Sequence, residues 1–309
     1  MALIIGLVKD ESARYDGYNW HDEYARHFIE LGDQPVFLDF KAEDWLAQVK
    51  KTNADLLLWR AWHVPDDRDD AKNKIYFLDK VLGVKIFPDW NMYQSYDNKI
   101  SQLFLMHQLH LPHPRTFYSR DIDEITQFVA NAPLPIVSKS SEGACGDNVR
   151  LIKERSELEK HVAEIFSDKG LQTYFPWIKQ KGYVYFQEYI SVDRDLRIIT
   201  IGDKVELAFW RENPNSWKKN IAGGGKINPE EIPESAKQLA SDLAVKTGFH
   251  WCASDMLMKE EVPYLLEFSS VFGFSRAGNY EKYFESPNAF ILKKQAAYLH
   301  KLFTNESKK

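Results

Sequence analysis

The stretch Asp255-Met256-Leu257-Met258-Lys259-Glu260-Glu261-Val262-Pro263-Tyr264-Leu265-Leu266-Glu267-Phe268-Ser269 reads as two apolar strands joined by a charged turn around Lys259–Pro263. If that turn is symmetric, Asp255 lies directly across the ladder from Glu267. Cross-strand neighbours are about 5 Å apart, and two carboxylates at that distance repel. The pattern therefore asks for a cation between them. Side chains alternate along a strand, so Glu267 and Ser269 share a face. Two carboxylates and a hydroxyl on a rigid hairpin suit Mg²⁺, which prefers oxygen ligands and shares itself with substrate phosphates. The competing reading is a solvated edge hairpin whose acids face water. What surrounds the hairpin decides between them.

Upstream, the first ninety or so residues alternate short apolar runs with helical patterns. Leu3–Val8, Val36–Phe40, Leu56–Trp59 and Val84–Phe87 read as strands. Trp20–Leu31 before Gly32, and Lys74–Leu82 before Gly83, read as helices with glycine stops. Such alternation implies a parallel sheet covered by helices. Ligands of these sheets bind beyond the carboxyl ends of the strands. There the third strand ends in Trp59-Arg60-Ala61-Trp62-His63, making Arg60, Trp62 and His63 candidates for substrate selection, with packing under a loop as the alternative. The first strand runs on as Lys9-Asp10, without the glycine fingerprint of a dinucleotide turn.

A second unit begins near Tyr93. Asp97 is placed to cap a helix bearing Ile100, Leu103, Phe104 and His107, and Asp121–Ala130 reads as another helix. Pro135–Lys139 and Val149–Ile152 form a hairpin around the small-residue tip 140–147, and Ser156-Glu157-Leu158-Glu159 reads as a capping box. Tyr183–Ile190 closes the unit as a strand. The third unit opens with the hairpin Leu196–Ile201 and Val205–Arg211 around Gly202-Asp203, where a first-position glycine fits a type II′ turn. A loop to Gly225, a helix from Pro233 to Thr247, the acidic hairpin and a helix from Pro287 to Phe303 follow. Helices mixed with antiparallel hairpins make these units α+β behind an α/β start.

Composition limits the classes of function. The chain has 309 residues, 44% of them hydrophobic, enough for two or three compact units. A net charge of -5 without a long basic run argues against nucleic acid as the main partner. Two cysteines, Cys145 and Cys252, make no disulfide framework and point to a reducing compartment. No segment approaches the ~20 apolar residues of a membrane span. The expectation is a cytoplasmic protein with small-molecule partners, no nucleic acid and no membrane, with homo-oligomer formation left open.

The remaining polar motifs are individually weak. Lys139 ends a strand before a loop whose glycines and serines, Ser141 and Gly143 among them, let backbone N–H groups approach phosphate. Gln187-Glu188-Tyr189-Ile190 ends a strand where it can present peptide groups to a flat base edge. Asp195 and Arg197 share a strand face, and Arg211 ends the partner strand before Lys218-Lys219-Asn220 and Gly223-Gly224-Gly225. With a strict two-residue turn, Arg197 and Arg211 fall on opposite faces, so convergence needs a bulge or twist.

Their order is informative. Asp97-Asn98-Lys99, Val137-Ser138-Lys139, Gln187–Ile190, Asp195-Leu196-Arg197, Arg211, Lys219-Asn220-Ile221-Ala222-Gly223-Gly224, Asp255 and Glu267-Phe268-Ser269 together resemble the ATP-grasp ligases, in their RimK-type and glutathione-synthetase-like branch. The resemblance covers roughly residues 93–275. It implies a Rossmann-like pre-grasp domain over 1–92, a small ATP-grasp subdomain over 93–190 and a metal-binding subdomain over 191–309. It further implies that Lys99 and Lys139 contact ATP, that Gln187, Glu188, Tyr189 and Ile190 hold adenine, and that Asp195 meets the ribose. Arg211 would stabilise the transferring phosphoryl group, with Arg197 and Asn220 near the carboxylate substrate. Asp255, Glu267 and Ser269 would bind Mg²⁺. The implied reaction joins a carboxylate to an amine through an acyl phosphate, the acid being an amino acid, peptide or sugar acid. Two features depart from the family pattern: Ser269 stands where an asparagine is usual, and Val271-Phe272-Gly273-Phe274 replaces the following Pro-Gly. A phosphotransferase on the same fold and a non-catalytic nucleotide-binding protein are the alternatives.

Overall fold

The computed structural model describes residues 2–9, 18–61, 65–143, 146, 148–173, 175, 178–274 and 279–306. Trp62, His63 and Cys145 lie outside them. The first sheet contains β1 (Ile4–Val8), β2 (Gln34–Leu38), β3 (Leu56–Leu58) and β4 (Ile86–Phe87), all parallel in the order β2-β1-β3-β4. Parallel neighbours need crossovers, supplied by α1 (Trp20–Glu30), α2 (Trp45–Thr52) and α3 (Pro65–Tyr76). Both sheet faces are covered: Ile5 and Leu7 enter one core cluster, Val8 and Leu57 another. Gly6 is required here, because a Cβ at that position would stand 2.3 Å from Leu57 Cδ2.

The expected helix over 74–82 is longer and less regular. It begins at Pro65, and its last turn, Phe77–Val81, is widened into a π-helix. Ala71, Ile75 and Leu78 face inward, and so does Arg68. A buried arginine at an inward position counts as a surface residue in a periodicity reading, which hides the first two turns.

A single turn, α4 (Trp90–Tyr93), leads to α5 (Lys99–Gln108). Asn98, rather than Asp97, caps α5, its Oδ1 accepting from Ser101 N at 3.1 Å. Asp97 instead adopts the left-handed region, with φ at 47°. The second sheet follows: β5 (Thr116–Ser119), α6 (Ile122–Asn131), β6 (Ile136–Lys139), β7 (Val149–Ile152) and α7 (Arg155–Ile165) come first. The short ribbon of β8 (Leu171–Gln172) and β9 (Lys179–Gln180) precedes β10 (Val184–Glu188). Its antiparallel order is β5-β10-β6-β7, with Ile125, Leu158 and Ile165 packed on Ile136, Val184 and Phe186. The capping box does not form. Glu154 is the N-cap of α7, Ser156 falls inside the helix, and Glu157 reaches back to Lys153 N at 3.3 Å.

The third sheet comprises β11 (Arg194–Ile201), β12 (Lys204–Glu212), β13 (Lys226–Asn228), β14 (Trp251–Lys259) and β15 (Val262–Ser269). It is antiparallel in the order β13-β12-β11-β14-β15. α8 (Glu234–Thr247) stops at Gly248, whose φ of 70° suits a residue without Cβ. α9 (Pro287–Glu306) runs back against α1, with Tyr24 Oη donating to Gln295 Oε1 and His300 Nδ1 2.8 Å from Asp33 Oδ2. One apolar cluster therefore joins the first and third sheets, while most of the second sheet's core is its own. Among the described residues, no helix is long and apolar enough to cross a membrane.

Two β-bulges decide which side chains meet. The acidic hairpin turns at Glu260-Glu261, tighter than the expected centre, with Lys259 opposite Val262. Continued without interruption, that register would set Leu266 against Asp255. A shift between Asp255 and Met256 absorbs one residue and sets Glu267 opposite Asp255. In the neighbouring hairpin a shift between Ile199 and Thr200 sets Asp195 opposite Arg211 and Arg197 opposite Phe209. Arg197 and Arg211 thereby share a face, as the sequence required of a bulge.

Candidate active site

That face carries a continuous row of charge. Arg211 Nε donates to Asp195 Oδ1 at 2.7 Å and Nη2 to Oδ2 at 3.0 Å. Arg197 Nε donates to Asp255 Oδ1 at 2.7 Å and Nη2 to Oδ2 at 2.8 Å. Arg211 Nη2 also lies 3.1 Å from Asp255 Oδ2, tying the pairs together. Planar forks bind carboxylates in this two-pronged way more strongly than single contacts do. Burial pushes the Asp255 carboxyl up, but Arg197 and Arg211 outweigh it and hold the group well below the usual carboxylate range. Burial likewise opposes the charge on Arg211, and Asp195 and Asp255 outweigh it.

Asp195, the residue expected at the ribose, is engaged by Arg211. Both its oxygens accept from Arg211, it is 6% exposed, and it is absent from the cleft wall described below. Glu267 is the more open partner of the acidic pair, 42% exposed at its side chain, with Lys99 Nζ at 3.6 Å from Oε2.

Lys99 begins α5 and is held from two sides. Its N–H donates to Ser141 O at 2.9 Å and its Nζ to Gly143 O at 3.1 Å. The β6–β7 loop is thus bound to the start of α5, an attachment completed by Gly143 N donating to Asp97 Oδ1 at 2.8 Å and Ser141 N to Tyr183 Oη at 2.8 Å. Gly143 has a φ of 120°, and a Cβ there would stand 2.3 Å from Asn148 Nδ2, so no other residue suits the position. Lys139 Nζ donates to the buried Gln187 Oε1 at 2.6 Å. Burial lowers the Lys139 ammonium to about 8, against the attraction of Glu267.

One cleft of about 320 Å³ gathers Lys99, Gly143, Arg197, Arg211, Asn220, Asp255, Glu267 and Ser269, with Arg60 at its edge. Arg60 stacks on Trp20, its Cζ 3.6 Å from the ring centre. Lys139, Ser141, Gln187, Glu188, Tyr189, Ile190 and Asp195 do not line this cleft. Of the loop lysines, Lys219 is buried against Asn213 O and Ser216 O, both at 3.0 Å. Lys218 reaches across to Gly146 O at 2.6 Å.

Sequence reasoning missed Gln102 and Arg68. Gln102 donates to Phe268 O at 2.8 Å and accepts from Phe268 N at 3.2 Å, fixing β15 beside Glu267. Its only signal is its spacing on α5, one turn after Lys99. Arg68 had none, lying ahead of the helix that the sequence pattern marks over 74–82.

The donor set fits one divalent ion shared with phosphate. Asp255 and Glu267 face one cleft from adjacent strands, and Mg²⁺ needs only one or two carboxylates when phosphates complete its shell. Ser269 fits less well. Its Oγ donates to Val271 O at 2.5 Å and accepts from Val271 N at 3.2 Å, so the hydroxyl closes its own turn. Among the described residues, no three His, Cys, Asp or Glu side chains converge as a complete metal cluster. The arrangement can neutralise and orient several anionic oxygens at once.

Residues 96–283 match the RimK-like ATP-grasp domain. The chain is 27% identical over 192 residues to the alpha-aminoadipate–LysW ligase LysX of Saccharolobus solfataricus, an overlap of 62% of this chain and 67% of that protein. It is 29% identical over 164 residues to the tetrahydromethanopterin:alpha-L-glutamate ligase of Methanococcus maripaludis, 52% of each. The chain thus spans between about half and two thirds of the length of these curated relatives. The structure of D-alanine–D-alanine ligase from Bacillus anthracis complexed with ATP aligns over 99% of this chain and 100% of its own, with a TM-score of 0.67 at 14% identity.

Proposed function

The chain belongs to the RimK-like ATP-grasp family, and from that premise we propose that it is an ADP-forming, Mg²⁺-dependent carboxylate–amine ligase. The row of Asp195, Arg211, Arg197, Asp255 and Glu267 on one sheet face, with Lys99 opposite, carries the reading. Phosphoryl transfer to a carboxylate brings two anions together, so positioning and charge neutralisation supply most of its catalysis. Lys99, Lys139 and the N–H groups of the Ser141–Gly143 loop hold the polyphosphate of ATP, and Gln187, Glu188, Tyr189 and Ile190 take the adenine. Arg211, aimed by Asp195, faces the transferring group. Arg197 and Asn220 orient the acid. Asp255 and Glu267 hold Mg²⁺, which supplies positive charge to the phosphate oxygens.

In the proposed reaction a carboxylate oxygen bonds to the γ-phosphorus as ADP leaves. The amine nitrogen then bonds to the acyl carbon, phosphate leaves, and the nitrogen loses a proton to water. The acid is an amino acid, peptide or sugar acid. Residues 1–92 serve as the pre-grasp domain, and 93–190 and 191–309 as the two grasping subdomains. The test is incubation with ATP, a panel of such acids and hydroxylamine without amine. A hydroxamate together with ADP supports the ligase. A stable phosphate ester would instead mark a phosphotransferase, and nucleotide binding without turnover would mark a non-catalytic protein.

A further inference from the structure

α3 sends a charged side chain inward. Arg68 is 1% exposed. Its Nη1 lies 3.0 Å from Asp97 Oδ2 and its Nη2 2.9 Å from Glu142 Oε2, with Asp69 Oδ1 at 3.7 Å. Burial opposes the guanidinium charge, and the acids, Glu142 first, more than restore it. An ion pair this buried is weak evidence of stability, since well-packed apolar residues do as well. Its partners give it another meaning. Glu142 belongs to the β6–β7 loop. Asp97, in an uncommon left-handed conformation, accepts Gly143 N of that loop at 2.8 Å. Gly143 O in turn accepts from Lys99 Nζ at 3.1 Å, and Lys99 stands 3.6 Å from Glu267.

A contiguous line of contacts therefore runs from a helix of the first sheet through Arg68, Asp97, Gly143 and Lys99 to the acidic pair. It also answers an electrostatic difficulty. Asp97 and Glu142 place two negative charges at a loop assigned to a polyphosphate, and like charges there would repel it. Arg68 offsets part of that charge and fixes the loop by the same contacts.

We propose that Arg68 is a positioning residue for nucleotide phosphates, holding the Ser141–Gly143 loop in its binding geometry from the first sheet. The proposal rests on the ATP reading above. It is tested with the full chain, using calorimetry with the Mg²⁺ complex of the non-hydrolysable ATP analogue AMPPNP and steady-state ADP release. Arg68→Met is expected to raise the analogue Kd and the KM for ATP about tenfold, the scale of one lost charge-assisted contact. The KM for the acid should stay unchanged, and Arg68→Lys should recover part of the loss. If Arg68→Met does not fold, Glu142→Gln removes the loop end of the pair at a side chain that is 31% exposed, and should raise the same Kd several-fold. Folded variants with the wild-type Kd overturn the proposal, as does a parallel rise in both KM values. Wild-type protein that fails to bind the analogue would overturn the ATP reading and this proposal together. Wild-type binding with unaffected variants would overturn this proposal alone.

Discussion

Arg197 grips Asp255 with both prongs of its guanidinium, Nε to Oδ1 at 2.7 Å and Nη2 to Oδ2 at 2.8 Å. Both carboxylate oxygens assigned to a metal are thus already engaged by cations, and Arg211 adds a third contact. A divalent ion arriving alone would have to displace or share these contacts. One arriving with phosphate brings negative charge for the arginines. The geometry therefore favours joint binding of metal and nucleotide, and Mg²⁺ titrated without nucleotide should bind far more weakly than with it.

The stability of the protein should respond very differently to neutralising the two acids of the pair. Asp255→Asn leaves Arg197 and Arg211 facing a neutral amide in a buried setting. Breaking a buried pair in this way costs about 3–5 kcal/mol, so the melting temperature should fall sharply. Glu267 is 42% exposed and its contact with Lys99 is long, at 3.6 Å. Glu267→Gln should change stability by less than about 1 kcal/mol and still cut ADP formation strongly. Thermal melts beside an ADP-release assay check both, and full activity in Glu267→Gln would remove it from the metal set.

Ser269 offers a sharper test of the ligand count. Its hydroxyl closes a turn on Val271. Ser269→Ala should cost about 1 kcal/mol, the net worth of a hydrogen bond, and leave the Mg²⁺ dependence of activity unchanged. A several-fold rise in the Mg²⁺ concentration needed for half-activity would make Ser269 a ligand after all.

Much of this was legible because it follows local rules. The parallel start and the helix ending at Gly248 come from periodicity and glycine; the pairing of Asp255 with Glu267 was expected from a symmetric turn and is reached instead from a tighter turn plus a bulge. What escaped was tertiary. The bulge between Asp255 and Met256 carries no composition signal, and the one between Ile199 and Thr200 was foreseen only as a condition for Arg197 and Arg211 to converge, yet the two decide which face Glu267 and Arg211 occupy. The ion pair of Asp195 with Arg211 was not legible because its partner lies 16 residues away on the next strand. Arg68 drew no reading because its acids come from elsewhere in the chain, Asp97 and Glu142.

Of the three residues expected to select substrate, Arg60 alone lies within the described residues. It stands on the cleft wall, stacked on Trp20, and a Cβ on the neighbouring Gly273 would approach its Nη2 to 3.2 Å. Arg60→Met keeps most of the apolar stem and removes the charge. It should raise the KM for the acid or amine about tenfold, equal to about 1.4 kcal/mol, with the KM for ATP unchanged. A fall in melting temperature with both KM values intact would reduce Arg60 to a packing residue.

Lys139 gives the site a pH signature. Its ammonium is lowered from 10.5 to about 8 by burial, which outweighs the attraction of Glu267. In the unfolded chain the group stays protonated up to its ordinary value, so between these limits the unfolded state binds more protons. Stability from this group therefore rises with pH across that window, and its full cost is present below it. A bound polyphosphate should reverse the shift by stabilising the charged form. Binding of Mg²⁺–AMPPNP at pH 8 should then take up roughly half a proton, the deprotonated fraction of a group titrating there, and almost none at pH 6. Calorimetry in buffers of different ionisation enthalpy reads this directly. Lys139→Met should abolish the uptake and weaken binding at pH 7. Equal proton uptake in wild type and variant would place Lys139 away from the phosphates.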